Sequence, residues 1–97
     1  MTDAARQRVD IWLVRARFMK TRAAAARLVA EGGVRLVHNG LTRRLEKPSA
    51  EVEPGDALLF PLRGGLRAVR IEALGERRGP ATEARLLYSE LDADAVA

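Results

Sequence analysis

The pattern of apolar residues changes from helical to alternating at Gly32-Gly33, and this change restricts what the chain can fold into. Before the glycine pair, four apolar residues stand at i, i+3, i+4 and i+7: Val9, Trp12, Leu13 and Ala16. This spacing predicts a helix over about residues 8–17, with these side chains on its inner face. Thr21 is a good N-cap for a second helix over about 22–31, which Gly32-Gly33 would end.

Beyond the glycine pair the sequence indicates strands, in short apolar or alternating segments at 34–37, 41–45, 57–60 and 66–74. Asn39-Gly40 separates two of them and is a strong signal for a β-hairpin. Pro80 suits the first turn of a last helix. Helical spacing recurs there in four residues: Ala84, Leu87, Tyr88 and Leu91. We expect an α+β fold, with two N-terminal helices packed on a small, mainly antiparallel β-sheet and a C-terminal helix.

The length of 97 residues suits a single domain. We expect residues 1–7 to be a flexible N-terminal tail, because they lack a periodic apolar pattern. Residues 8–75 would hold the two helices plus the sheet, and residues 76–97 a loop, the C-terminal helix and an acidic tail. No segment approaches the roughly 20 apolar residues that span a membrane, and none resembles a secretory signal. A cytoplasmic location is therefore expected.

Positive charge is concentrated in the first half of the chain. Residues 1–50 hold eleven Lys/Arg and four Asp/Glu, whereas residues 51–97 hold six Lys/Arg and nine Asp/Glu. This polarity favours a polyanionic partner, because binding to phosphates releases their counterions. Arg85 lies in the acidic half, and we expect it to take no part in binding.

Residue types that carry catalysis or metal binding are scarce. The chain has no cysteine and one histidine, His38, which precedes the hairpin turn without a second ligand for a metal. No Ser or Thr stands in a nucleophile motif, and neither glycine pair continues into the Gly-Lys-Ser/Thr of a phosphate loop. We expect no enzymatic activity, no metal and no cofactor.

A basic cluster surrounds the corner between the two predicted helices: Arg15, Arg17, Lys20, Arg22 and Arg27. The free N–H groups at the start of the second helix, together with the Thr21 hydroxyl, would add donors for an anion. These residues together would make a phosphate site. By spacing alone, an ordinary solvated helix surface explains the cluster equally well, and both interpretations stay open.

An ordered set of motifs resembles a known family. The segments are Arg8-Val9-Asp10-x-Trp12-Leu13, Arg17-Phe18-x-Lys20-Thr21-Arg22, Ala26-x-Leu28, Gly32-Gly33, Asn39-Gly40, Lys47-Pro48-Ser49, Val52 and Gly55-Asp56. The set resembles the RNA-binding domain named after ribosomal small-subunit protein four. A later segment, Arg78-Gly79-Pro80-Ala81-x-Glu83-Ala84 with Leu87-Tyr88, narrows the resemblance to the fifteen-kilodalton ribosome-associated heat-shock proteins. Single motifs are weak, but the ordered set spans about residues 8–91.

The resemblance implies a two-helix motif on a small sheet, with RNA lying across the corner between the two helices. Residues 8–75 would then be the RNA-binding domain. It also implies binding to ribosomal RNA on the large ribosomal subunit, and rescue of subunits blocked by a nascent chain on transfer RNA in the heat-shock response. Two features depart from the family pattern. The segment from Asn39 to Lys47 is longer and adds Arg43 and Arg44, and an acidic end at 92–97 stands where a basic tail is expected.

The expected contacts follow from the cluster and the resemblance together. The nucleic-acid-binding residues would be Arg8, Arg17, Lys20, Thr21, Arg22, Arg27 and Lys47, with further contacts from Arg15, Arg43 and Arg44. Asp10 is expected to orient a nearby arginine. Trp12 and Phe18 are assigned to the core, although Phe18 stacking on a base is the alternative.

Two other functions stay open from the sequence. A protein-interaction adaptor would dock an acidic partner on the basic corner and use Ile11 and Val14 as an apolar contact. Duplex DNA could replace RNA as the target of the same domain. A monomer is the expected state, although the sequence does not give the oligomeric state.

Overall fold

The structure, a computed structural model, describes residues 5–96. Its helices are α1 (Val9–Arg15), α2 (Arg22–Ala30), α3 (Ala81–Ala84) and α4 (Ala93–Val96). Its strands are β1 (Gln7–Arg8), β2 (Arg35–His38), β3 (Leu41–Arg44), β4 (Glu51–Val52), β5 (Ala57–Leu62), β6 (Gly65–Ile71) and β7 (Tyr88–Glu90). The α+β fold class is confirmed, with two helices preceding a mainly antiparallel sheet. In the part of the chain described, no helix is long and apolar enough to cross a membrane.

Five strands form one antiparallel sheet in the order β3-β2-β5-β6-β7, while β1 and β4 pair separately. Two of its hairpins close through two-residue turns, Asn39-Gly40 and Arg63-Gly64. In both turns the two residues have positive φ, at 51° and 79° in the first and 52° and 82° in the second. This geometry matches the twist of the flanking strands and confirms the hairpin expected at Asn39-Gly40.

The predicted inner face of α1 is buried in the hydrophobic core. Trp12 is fully buried and its indole N–H donates to the carbonyl of Ala73 at 3.0 Å. Phe18 is 9% exposed and packs edge-on against Phe60, with 5.1 Å between ring centroids. Both aromatic residues are therefore core, as expected, and the guanidinium of Arg67 covers the Phe18 ring at 5.1 Å. A base cannot stack on a ring that is already covered.

The ends of the two helices have different chemistry. Thr21 caps α2 through its hydroxyl oxygen, which accepts from the Ala24 N–H at 3.1 Å. The end of α1 is a Schellman motif, in which Arg17 N–H donates to Val14 O and Phe18 N–H to Leu13 O, both at 3.0 Å. Arg17 occupies the left-handed position of that motif with φ of 67°, where glycine is the usual residue.

The expected last helix is much shorter than its apolar spacing predicts. This helix ends after one turn of α3 and a 3-10 turn at Arg85–Leu87, and Tyr88–Glu90 instead form an edge strand beside β6, ahead of α4. Glu72 N–H donates to Leu87 O at 2.8 Å and starts this pairing. The free edge of β6 offers hydrogen bonds that local spacing along the chain does not reveal, and they override the helical pattern.

The start of the chain also differs from the expectation. Gln7 lies in β1 opposite Val52, and its side-chain amide donates to the carbonyl of Gly75 at 2.7 Å. Gln7 is therefore not part of a flexible tail. Residues 1–4 of the expected tail lie outside the described residues.

Candidate nucleic-acid interface

A buried carboxylate organises the start of both long helices. Asp10 is 1% exposed and accepts two hydrogen bonds from Arg8, at 3.1 and 3.0 Å. Its Oδ2 accepts a further bond from Arg22 Nε at 3.3 Å, and its Oδ1 accepts from the Ile11 N–H at 2.8 Å. Asp10 thus orients arginines as expected, and it orients two of them where one was predicted.

The ionisation of Asp10 follows from this environment. Burial tends to raise the pKa of Asp10, but the hydrogen bonds from Arg8 and Arg22 outweigh it and the net shift is downward. The carboxylate is therefore charged at neutral pH. One negative charge shared by two arginines leaves a net positive charge at this corner.

The contact with Asp10 occupies only part of the Arg22 guanidinium. Only its Nε engages Asp10, and the side chain is 57% exposed. Its two Nη groups donate to no residue in the described range 5–96, so they are free to grip a phosphate with two parallel bonds. The adjacent N–H groups of Arg22 and Ala23 precede the bond that caps α2, and the helix dipole favours an anion there.

Thr21 and Lys20 complete the loop in front of α2. The Thr21 oxygen already accepts the capping bond, which leaves its hydroxyl proton available to an anion. Lys20 is exposed. We call the group formed by Arg8, Asp10, Lys20, Thr21 and Arg22 the helix corner.

The segment 47–50 lies against the start of α1, because Val9 N–H donates to Ala50 O at 2.8 Å. Lys47 shares a shallow cavity of about 450 Å³ with Arg43 and Arg44. The carboxylate residue Glu46 lines the same cavity. Arg44 passes so close to Gly32 that a Cβ built there would lie 3.3 Å from its Cδ.

Arg27 stands apart from the helix corner. It is exposed in the last turn of α2, while Arg22, Thr21 and Lys20 belong to the beginning of that helix. The geometry therefore places two predicted contacts, Arg22 and Arg27, at different ends of one helix.

Two predicted contacts have structural partners. Arg15 donates from Nη1 to the carbonyl of Gly75 at 2.7 Å, and Arg17 donates from Nε to the carbonyl of Gly79 at 2.7 Å. These bonds anchor the loop 75–79 to the end of α1. Arg15 is half-buried by this contact, whereas Arg17 stays exposed.

Val14, which the adaptor hypothesis requires on the surface, packs against the hydrophobic core. Ile11 is also half-buried. Both side chains are therefore only partly exposed, and the apolar contact of an adaptor stays a prediction.

The charge difference between the two halves of the sequence does not correspond to two halves of the molecule. Arg63 from the β5–β6 turn, together with Arg78 and Arg85, lines the same cavity as Arg17 and Lys20. These arginines could not be grouped from the sequence, because they stand among the more numerous acidic residues of the second half of the chain. Arg85, which was expected to take no part in binding because it lies in the acidic half of the sequence, lines this cavity beside them.

Comparison with known proteins identifies the relatives of this chain. The S4 domain family model matches residues 7–36. Heat shock protein 15 of Escherichia coli (strain K12) is 43% identical over 83 residues, which are 86% of this chain and 59% of that protein. A heat shock protein 15 homolog of Aeromonas salmonicida is 41% identical over 87 residues, 89% of this chain and 61% of the homolog. The chain thus spans about three fifths of the length of the curated relatives it matches.

A solved structure is similar over nearly the whole chain. The trimeric structure of Vibrio cholerae heat shock protein 15 superposes with a TM-score of 0.78 at 35% sequence identity. The match covers 95% of this chain and 87% of that one. It includes most of the sheet and the C-terminal segment, which lie beyond the residues matched by the S4 model.

Proposed function

Because the chain belongs to the heat shock protein 15 family, we propose that it is a non-catalytic RNA-binding protein that docks on ribosomal RNA. Its partner would be the large ribosomal subunit in the cytoplasm. Its role would be the rescue of subunits blocked by a nascent chain on transfer RNA, as part of the response to heat stress.

One observation carries the proposal, namely the way Asp10 holds Arg22. The buried carboxylate fixes Nε and leaves both Nη groups free, beside the exposed N–H groups at the start of α2. Fork-shaped donors next to a helix N-terminus fit the oxygens of a phosphodiester. A randomly solvated arginine would need no buried carboxylate to orient it.

The proposed contacts keep the set predicted from the sequence: Arg8, Arg17, Lys20, Thr21, Arg22, Arg27 and Lys47, with Arg15, Arg43 and Arg44 as further contacts. Within this set the helix corner would bind most strongly, because its donors converge. Arg15 would contribute least, since Gly75 already occupies its guanidinium.

Sedimentation with purified ribosomal subunits tests this function. The protein should travel with the large subunit and not the small one, and Arg22→Ala should reduce the bound fraction. Arg70→Ala is the matched control, because Arg70 is also exposed but lies on β6 away from the helix corner. Protein that stays at the top of the gradient with both subunits would overturn the proposal.

A further inference from the structure

A second basic region lies beside the helix corner, in a groove between the α1–α2 loop, the β5–β6 turn and the segment 78–88. Its volume is about 540 Å³, and its cations are Arg17, Lys20, Arg63, Arg67, Arg78 and Arg85. No carboxylate lines it among the described residues. Four of these cations, from Arg63 onward, lie outside the segment matched by the S4 model.

Most of this charge has no partner within the protein. Arg67 is paired with Glu90 and rests on the Phe18 ring, so its charge is largely compensated. Over residues 5–96, in contrast, Lys20, Arg63, Arg78 and Arg85 form no ion pair. Like charges gathered in one concave surface repel each other and raise the local concentration of anions. The unpaired positive charge of the groove therefore favours a polyanionic ligand.

Two of the groove arginines occupy backbone positions that suit glycine. Arg17 has φ of 67° at the end of α1, and Arg63 has φ of 52° in the turn after β5. A long side chain at positive φ is unfavourable, because its Cβ crowds the following carbonyl oxygen. These two turns are unrelated in sequence, yet both place an arginine on the same groove. Strained residues of this kind cluster where function requires the side chain.

Neighbouring contacts fix the position of the groove relative to the helix corner. Arg17 donates to Gly79 O at 2.7 Å. This bond holds Gly79, and with it the preceding Arg78, near the end of α1. Lys20 lines the groove and directly precedes Thr21 and Arg22. The α1–α2 loop is thus the common border of the two regions. An RNA chain that crosses the helix corner can continue into the groove.

We propose that this groove is a second RNA site, which binds the phosphate backbone of a single-stranded segment next to the structure held at the helix corner. This inference rests on the proposed RNA-binding function. We expect binding in the groove to depend little on base identity, because Phe18 is 9% exposed and Arg67 covers its ring. Tyr88, the other aromatic residue lining the groove in the described range, is half-buried and packs against Phe18 with 4.6 Å between ring centroids. Charge therefore dominates over stacking, and the affinity depends strongly on salt.

The test uses two labelled RNA hairpins, one blunt and one with a single-stranded tail of about ten uridines. Titrations across a range of salt give the affinity and its salt slope for each protein. The groove variant carries Arg63→Gly and Arg85→Gln. We expect it to bind the tailed hairpin roughly tenfold more weakly, with a salt slope smaller by about 1.4, since about two single-strand phosphate contacts are lost. Its affinity for the blunt hairpin should hardly change.

Two matched controls distinguish the effect of losing positive charge from the effect of changing a turn residue. Arg70→Gln removes one positive charge outside the groove, and Asn39→Gly changes the equivalent position of the other hairpin turn without removing a charge. Both should bind the tailed hairpin like the parent protein. Arg63→Gly alone should melt at or above the parent temperature, because glycine relieves the turn. A loss of binding then cannot come from unfolding.

The outcomes distinguish the groove from the proposed function. If Arg22→Ala weakens both hairpins while the groove variant matches Arg70→Gln, the groove inference fails and the function stands. If neither hairpin binds the parent protein, the proposed function fails. Polyglutamate that displaces the tailed hairpin as well as polyuridine of equal charge would indicate an acidic protein partner and overturn an RNA site.

Discussion

The helix corner and the groove hold similar charges by different means. At the helix corner a buried carboxylate, Asp10, pairs with Arg8 and Arg22 and fixes their direction. In the groove, Arg17 and Arg63 are positioned by turns with positive φ, and most of the cations lack a carboxylate among the residues described. Orientation in the first region therefore depends on an ion pair, whereas in the second it depends on the backbone.

This difference determines how each region should respond to perturbation. The helix corner should be sensitive to loss of Asp10 and to low pH, because both remove its organising charge. The groove should be insensitive to both and should respond mainly to salt and to turn substitutions. Variants that affect one region without the other therefore test the comparison.

Trp12→Ala should have the largest effect on stability. It should weaken the helix corner and the groove alike. Trp12 is fully buried and packs beside Phe18, with ring centroids 5.9 Å apart, and Phe18 underlies the groove. Truncation should reduce the free energy of unfolding by about 3–5 kcal/mol. Urea unfolding followed by circular dichroism measures it. A variant that unfolds like the parent but loses RNA binding would mean that Trp12 contacts RNA.

Asp10→Asn should have the next largest effect, and only at the helix corner. The neutral amide keeps the size of the side chain but loses both charge-assisted contacts, so we expect a loss of about 2 kcal/mol in stability. The arginines are partly exposed and can be solvated again, which limits the loss. Urea unfolding gives the free-energy difference. Binding to the tail of a tailed RNA hairpin should persist, because the groove does not use Asp10.

The pH dependence follows from the lowered pKa of Asp10. The folded protein binds its proton less tightly than the unfolded chain, so the stabilisation is fully present above the unfolded pKa of about 3.9. It is lost as pH falls through the lower folded pKa. Melting curves from neutral pH to acid should therefore fall less steeply below about pH 4 for Asp10→Asn than for the parent. Identical curves would show that Asp10 contributes nothing to acid stability.

Arg17→Gly should have a smaller effect on folding, and with the opposite sign. Glycine is the favoured residue at the end of a Schellman motif, so the backbone should gain about 1 kcal/mol. The lost bond to Gly79 O offsets part of this gain. Thermal melting should show little change or a small increase while RNA binding weakens. A strong decrease in melting temperature would mean that Arg17 serves mainly to hold the loop 75–79.

The features that the sequence predicted are those with local causes. The α1 stripe around Trp12, the Thr21 cap and the Asn39-Gly40 turn depend on neighbours within a few residues, and the structure confirms all three. The last helix was predicted too long, because strand pairing between Tyr88 and Ile71 joins residues far apart in the chain. Local spacing contains no information on such pairing.

The same reasoning explains what was missed in the basic regions. The role of Asp10 as an orienting residue could be predicted from the sequence, because Arg8 lies two residues away and Arg22 within the next helix. The grouping of Arg63 and Arg85 with Lys20 could not be predicted, because it requires the sheet and the C-terminal segment to fold back on the α1–α2 loop. Charge counted along the chain cannot show where distant segments meet.

The central claim is that the helix corner, with Arg22 at its centre, binds RNA. The most direct test is a titration of Arg22→Ala, Arg22→Lys and Arg70→Ala against one RNA hairpin at fixed salt, with a melting curve for each. Arg22→Ala should weaken binding by about 1–3 kcal/mol, and Arg22→Lys should recover only part, since an ammonium lacks the guanidinium fork. Melting should barely change, because Arg8 keeps Asp10 paired. If Arg70→Ala weakens binding as much as Arg22→Ala, diffuse positive charge binds the RNA and the claim is wrong.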